Sequence, residues 1–438
     1  MELFGSMQSA LRRTLFWLLL SGTSAILTSC GGSSTPAQVG LPTPPAGGSV
    51  NSYVGGQANS PSEVSPWSVT IDHTKNVYSY TNPNSAGAAT TTGSFAPLTG
   101  GFLVLLGSNG YQNGLALELP GEAVILRPGD TTAAPVFAVQ QSSCFAIGGS
   151  QKFLFVYSPG LSGQGSVLTG AAEPEPFFGR IYASTSSDGN SWQFDNLTEF
   201  SSPLLYVAQG VPSDAGYPGY AAGYPGTCSA SNGTASVTSS PMGSFTGGSA
   251  YPLPTQSVIS PGGFFFTNQS YANVPSSANW NYPAISAWGL SEPPEPLTVG
   301  GFATANYVGF LTETTGNNST YFTQLVGFGN APIAGTTMTG GTFPNDDPTQ
   351  LPIQEMSVTF GSQDALNNGV YYLAKLNIPY GGQFDSCASP APGINGIPTC
   401  TYSAVATVSH LSAYAPYSIM VSAVDSSGNQ KLLVLFHQ

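Results

Sequence analysis

Charge is what this chain has least of. Only 7% of its 438 residues are Asp, Glu, Lys or Arg, against roughly a quarter in ordinary soluble proteins. Lys and Arg number 8 and Asp and Glu 21, for a formal net charge of −13. Apart from Arg12 and Arg13, the strong cations are Lys75, Arg127, Lys152, Arg180, Lys375 and Lys431, scattered along the chain. Binding to a phosphate backbone needs clustered Lys and Arg. The composition therefore argues against nucleic acid, and against anionic lipid headgroups, as partners.

Histidine is nearly as scarce, with 3 in the chain. A serine hydrolase needs a general base beside its nucleophile, usually histidine, and no GxSxG elbow occurs. His73 falls in an expected hairpin turn, His437 is one residue from the end, and His410 follows a strand candidate. The ordinary reading of each is a turn or strand-end residue. No CxxC occurs, and the histidines lie far in sequence from the cysteines, which speaks against a zinc site. No catalytic residue, metal or cofactor is assigned. Helical periodicity is missing too: no segment of helical length carries apolar residues at a period of 3.6.

What is present begins at the N-terminus. Arg12 and Arg13 precede Thr14 to Leu27, an uncharged apolar or small stretch too short to span a bilayer comfortably. Leu27-Thr28-Ser29-Cys30 follows. This segment resembles the signal peptide and lipobox of bacterial lipoproteins. The resemblance implies cleavage before Cys30 and a diacylglycerol on its thiol, with palmitate among the acyl chains. It covers residues 1–30 only. Gly31 stands where many lipoproteins of diderm bacteria carry an inner-membrane retention aspartate, so the resemblance favours the outer membrane. Residues 31–50 have no charge and no hydrophobic period. They read as a tether, about 20 flexible residues with an end-to-end distance of roughly 25 Å.

Cys144, Cys228, Cys387 and Cys400 remain. An even number in an exported chain favours disulfides. Four cysteines allow three pairings. Cys387 with Cys400 is the local choice, leaving Cys144 with Cys228.

From Tyr53 onward the pattern has a period of two. Tyr53–Gln57, Trp67–Asp72, Val77–Thr81, Thr92–Pro97, Phe102–Gly107, Gly114–Leu119, Glu122–Arg127 and Pro135–Gln140 read as short strands separated by Gly- and Pro-bearing turns. Hairpins are expected at Arg180–Thr185 with Trp192–Leu197, Tyr307–Glu313 with Thr320–Phe328, and Tyr417–Val424 with Lys431–Phe436. Leu432 to Phe436 is continuously apolar, unlike the alternating strands of an outer-membrane barrel. The expected fold class is all-β, antiparallel meanders forming two barrel- or sandwich-like bodies, with a β-propeller as alternative. The organisation reads as a signal peptide (1–29), lipidated Cys and tether (30–50), an N-terminal β domain (51–208), a Gly/Pro/Ser-rich linker or long loop (209–250) and a C-terminal β domain (251–438). Tyr53-Val54-Gly55 is echoed by Tyr307-Val308-Gly309. The echo is either a duplication or two sheets obeying the same pattern rules.

Two further groups carry chemistry. Glu173 with Glu175 (AAEPEP) and Glu292 with Glu295 (SEPPEP) are the carboxylate pairs a glycoside hydrolase would need; solvated Pro-rich loops are the favoured reading of both. Trp280, Tyr282 and Trp288 crowd into NWNYPAISAWG. Flat rings on a rigid loop would stack on a ligand, and packing is the competing role. The reading is a lipid-anchored, non-enzymatic envelope protein that binds or scaffolds, held to the membrane by its N-terminal lipid and taking polysaccharide or an envelope protein as partner. The alternatives are a small-ligand carrier, since eight strands in a meander look like a calycin or avidin barrel, and an envelope polysaccharide hydrolase.

Overall fold

A computed structural model describes residues 50–57, 67–83, 87–98, 102–129, 132–141, 150–157, 178–185, 191–200, 224–228, 234–237, 256–259, 263–268, 285–293, 295–314, 321–328, 333–343, 353–364, 368–379, 391–392, 398–410, 417–424 and 430–437. The all-β, antiparallel expectation holds, and the bodies are barrels. The first is a closed ring of β1 (Val50–Gln57), β2 (Trp67–Asp72), β3 (Val77–Thr81), β4 (Thr90–Pro97), β5 (Phe102–Leu106), β6 (Gln112–Leu119), β7 (Ala123–Pro128) and β8 (Val136–Gln140). It closes where β1 meets β8, with Tyr53 opposite Gln140 and Gly55 opposite Ala138. Each of the eight strand candidates read from the sequence overlaps one of these strands, with Gly107, Glu122 and Pro135 falling just outside.

The second closed barrel comprises β9 (Ser150–Tyr157), β10 (Phe178–Thr185), β11 (Ser191–Phe200), β12 (Tyr224–Cys228), β13 (Thr234–Val237), β14 (Gln256–Ile259), β15 (Gly263–Asn268) and β16 (Ile285–Ser291), closed by the pairing of β16 with β9. The boundary expected over 209–250 therefore falls inside a barrel. Strands β12 and β13 lie within it and pair with β11 and β14. Ladder hydrogen bonds come from the backbone, so a Gly-, Pro- and Ser-rich stretch still supplies short strands. The sheets instead begin at Val50, Ser150 and Tyr307.

The third sheet has eleven strands: β17 (Tyr307–Thr314), β18 (Tyr321–Phe328), β19 (Ile333–Ala334), β20 (Thr337–Phe343), β21 (Ile353–Thr359), β22 (Ser362–Gln363), β23 (Val370–Pro379), β24 (Ala391–Pro392), β25 (Pro398–His410), β26 (Tyr417–Val424) and β27 (Gln430–His437). Because β23 pairs with both β21 and β25, strands β17, β18, β20, β21, β23, β25, β26 and β27 also run in a closed ring. The ring is again a meander in chain order, with the first strand paired to the last. A one-turn helix, α1 (Val299–Phe302), precedes it and buries Phe302 against Phe360, Tyr371 and Tyr417. The hydroxyls of Tyr307 and Tyr371 donate to the carbonyls of Phe302 and Leu297 and fasten this segment.

Alternation explains the interiors. One face of β1–β8 gives Tyr53, Trp67, Val69, Ile71, Tyr78, Tyr80, Phe95, Leu103, Leu105, Ala116, Val124, Leu126, Val136 and Ala138, all buried together. The third ring is filled in the same way by Tyr307, Leu311, Val326, Phe328, Met338, Leu376, Val421, Leu433, Leu435 and their neighbours. Strands β6, β7, β8, β26 and β27 do not alternate because their outer faces are buried as well. Leu115, Leu117, Ile125, Phe137 and Val139 of the first barrel join Phe310, Leu325, Met420, Leu432, Val434 and Phe436 of the third, with Leu154, Trp288 and Leu290 of the second, in a single core between the barrels. Phe102 meets Phe310 edge-on at 5.5 Å. Arg127, fully buried, donates from a guanidinium nitrogen to the Thr323 carbonyl at 3.0 Å and links β7 to β18.

The Tyr-Val-Gly echo occupies equivalent places. Each copy lies in the first strand of its ring, against the closing strand, with Gly309 opposite Leu435 as Gly55 is opposite Ala138. A Cβ at Gly55 would overlap the Phe137 carbonyl oxygen, and one at Gly309 the Val434 carbonyl oxygen. These glycines admit the close approach that lets the first strand reach the last. Gly55→Ala and Gly309→Ala should each destabilise the protein by about 1–3 kcal/mol. Urea unfolding checks this, and an unchanged midpoint for both would remove the seam role assigned to them.

Candidate functional site

Among the described residues, titratable side chains converge at the end of the first barrel where β1 begins. The antiparallel pairing sets Val50 opposite Asp72, so the β2–β3 turn at 73–76 sits beside the start of β1. Glu118 lies on β6 on the inward-facing side shared with Ala116, and only 5% of it is exposed. Its Oε1 accepts hydrogen bonds from Asn51 Nδ2 at 2.9 Å and the Tyr53 hydroxyl at 2.6 Å. Its Oε2 lies 2.7 Å from His73 Nε2. The Tyr53 hydroxyl in turn accepts from the Gly121 amide at 3.2 Å. One carboxylate thus ties β1, the β2–β3 turn and β6 together.

The electrostatics follow from the geometry. The hydrogen bond to Glu118 raises the His73 pKa above its ordinary value, against an opposing effect of burial, and the charges of Glu118 and Asp72 add to the rise. The ring is 10% exposed at its side chain and stands edge-on to Phe95 at 5.4 Å. Burial, with Glu118 next to it, pushes the Tyr53 hydroxyl well above its usual pKa, so Tyr53 remains a donor. Burial works to raise the Asp72 pKa, but the Lys75 and Thr74 amides and the Lys75 charge outweigh it and hold that carboxyl low. Those amides reach Asp72 Oδ1 at 3.1 and 2.9 Å and form the turn that carries His73. The arrangement holds a proton between buried partners.

The residues singled out from the sequence fare differently. Trp288 is not an exposed ring. It is 2% exposed and sits on β16 at the meeting of all three barrels, 5.5 Å from Phe137 of β8 and 6.3 Å from Phe436 of β27. Its indole N–H has no hydrogen-bond acceptor among the described residues. Trp288 packs, and its ring is closed to a ligand. Trp280 and Tyr282 lie outside the described residues. Glu292 and Glu295 do not form a facing pair: Glu292 is buried and accepts from the Asn368 amide at 3.2 Å, while Glu295 is exposed. Glu173 and Glu175 lie outside the described residues, as do Cys30, Cys144 and Cys387. Cys228 falls in β12, its side chain undescribed. Cys400 is fully buried on β25 and disulfide-bonded.

Sequence reasoning missed the Glu118 cluster. Its signal was there: Glu118 is the one charged residue in an apolar strand, LALEL, and a carboxylate in such a strand needs partners. What the chain could not reveal was that a turn histidine 45 positions away supplies one.

Trp288→Ala removes a ring shared by three bodies and should cost about 3–5 kcal/mol. Thermal unfolding of the variant checks this. A melting temperature within a degree of wild type would show that the ring does not hold the barrels together.

No protein family matches the sequence, and no curated protein matches it. Among solved structures, the chain is similar to isotype 1 transferrin binding protein B of serogroup B Neisseria meningitidis, at 12% identity and a TM-score of 0.25, covering 85% of this chain and 65% of that one. It therefore spans just under two thirds of that neighbour's length. A mutant of the vaccine antigen transferrin binding protein B from Haemophilus parasuis Hp5 gives 8% identity and a TM-score of 0.23, over 91% of this chain and 77% of that one. A protein with unknown function from Nostoc punctiforme gives 9% identity and a TM-score of 0.20, over 66% and 96%. TM-scores of this size establish no shared fold, and the barrel architecture rests on the strand pairings alone.

Proposed function

We propose that this chain is a lipid-anchored cell-envelope protein of the binding or scaffolding type, with no chemistry of its own. The observation that carries the reading is the lipobox-like segment ending at Cys30, followed by a charge-free tether that runs into β1 at Val50. The anchor is acyl chain rather than helix; no helix of the described residues is long and apolar enough to cross a membrane. Gly31 favours the outer membrane. A body of barrels with a shared apolar core is suited to presenting its loops and outer faces to a polysaccharide or an envelope protein.

The inward-facing side chains of the first and third rings are buried together, which weighs against a calycin-like carrier with its ligand in either of them. The split fates of Glu292 and Glu295 weigh against that pair as glycosidase carboxylates.

Disulfides fit the exported compartment. Ala391 and Pro392 of β24 pair with Thr399 and Pro398 of β25. This hairpin returns the chain toward Cys400 only a few residues after Cys387, which supports a Cys387–Cys400 bridge. Such a bridge would contribute about 3 kcal/mol by the chain-entropy account.

Two experiments test the reading. Cys30→Ala should release the protein from the membrane pellet while leaving its melting temperature unchanged; a variant still in the pellet would sink the lipid-anchor assignment. Peptide mapping of the non-reduced exported protein should recover Cys387 linked to Cys400, and recovery of Cys400 linked to Cys144 or Cys228 would replace that pairing.

A further inference from the structure

Glu118 has a position that the proposed function does not use. It holds the start of β1, and β1 starts where the tether ends. Asn51 and Tyr53, which both donate to Glu118, are the second and fourth residues of that strand. The chain leaving the barrel passes the same place, since the Gln141 amide donates to the Ser52 carbonyl at 2.7 Å. We propose that His73 and Glu118 form a proton-dependent latch on the tether end of the first barrel. With the imidazole protonated, Glu118 binds β1 and the β2–β3 turn together. Loss of the proton removes the charge that holds the turn to Glu118 and loosens the first residues of β1.

The surroundings make the proton matter. The groups facing the imidazole or its partner are Tyr53 from β1, Asp72 from β2, Glu118 from β6 and Glu122 from the β6–β7 turn, with the Phe95 ring from β4. Asp72 acts on His73 and Glu122 on Tyr53. The nearby cation, Lys75, lies 3.5 Å from Asp72 with most of its side chain in solvent. A protonated His73 therefore sets a part-buried positive charge beside Glu118 and Asp72. A neutral ring with its proton on Nε2 still donates to Glu118, but it no longer carries the positive charge that offsets the carboxylates, in surroundings that screen poorly.

The direction follows from linkage. The folded-state pKa of His73 is raised above its unfolded value of about 6.5. Its contribution to stability is fully present below pH 6.5 or so and is lost as pH rises through the folded value. The latch is closed in acid and opens toward alkaline pH. Its reach is local, because the rest of β1 is held by β2 and β8 along its length.

Three histidines in the chain make the test tractable on the full-length protein in detergent micelles. Imidazole proton resonances, assigned with His73→Gln, His410→Gln and His437→Gln, give the His73 midpoint directly in the wild type. It should lie above 6.5, and a midpoint at or below that value overturns the latch. Melting temperatures of wild type and His73→Gln are then compared from pH 5.5 to 9. The advantage of the wild type should be greatest at the acid end and shrink as pH rises. Amide exchange over residues 50–54, compared between the two proteins at each pH, should lose its difference over the same interval. An advantage that stays constant with pH, or exchange that never differs at the start of β1, would reduce the pair to a fixed structural contact.

Discussion

The architecture depends on two-sided burial at one place. Each barrel has its own interior, but the outer faces of β5–β8, β9 with β16, and β17, β18, β26 and β27 share a second core. Trp288 stands in it with an aromatic ring from each of the other two barrels as neighbour. Burial of apolar surface is non-directional and roughly proportional to area. A continuous apolar seam therefore turns three beads on a string into one object. Around it lie directional contacts that fix register, notably the buried Arg127 guanidinium on the Thr323 carbonyl. At the end of the third ring, Lys431 bonds Glu313 at 2.6 Å while lying 4.7 Å over the Tyr402 ring. The desolvation cost of burying both charges offsets much of their attraction, so the pair adds little net stability.

Much of the fold was legible because a barrel wall facing water must alternate. Strand β2 reads W-S-V-T-I-D with its apolar side chains inward, and β3 and β4 follow the same rule. Alternation fails in A-V-I-L and L-L-V-L-F, and that failure was itself informative: those runs mark walls covered on both sides. The sequence could not say what covered them, since the covering strands lie hundreds of residues away. The extent of the second barrel was hidden for another reason. Its strands β12 and β13 are short and are built from residues that punctuate loops elsewhere. Composition reports side chains, whereas barrel membership is decided by backbone pairing.

The candidate site was legible only in halves. Glu118 stands out in its strand, and His73 looks like any turn residue. Only closure of the ring sets them 2.7 Å apart. Trp288 was conspicuous as one of a crowd of aromatics, but its neighbours in sequence are not its neighbours in space. An aromatic on a strand next to a glycine and a leucine, A-W-G-L, belongs to a wall.

Closure of each ring by its first and last strands has a consequence for how the protein comes to exist. Strand β1 waits for β8, whose partner residues lie 79 to 87 positions later, and β17 waits for β27, more than a hundred positions on. Contacts this distant in sequence are slow to form, because the loop entropy is lost before the last ladder returns any stabilisation. A chain emerging from its N-terminus would carry open sheet edges at β1, β9 and β17 in turn, each a template for the wrong neighbour until its closing strand arrives. The low charge removes one common means of guarding such edges. A protein of this design is therefore most exposed to aggregation while its chain is still being made, and shielding of those edges would matter more to its yield than the stability of the finished body.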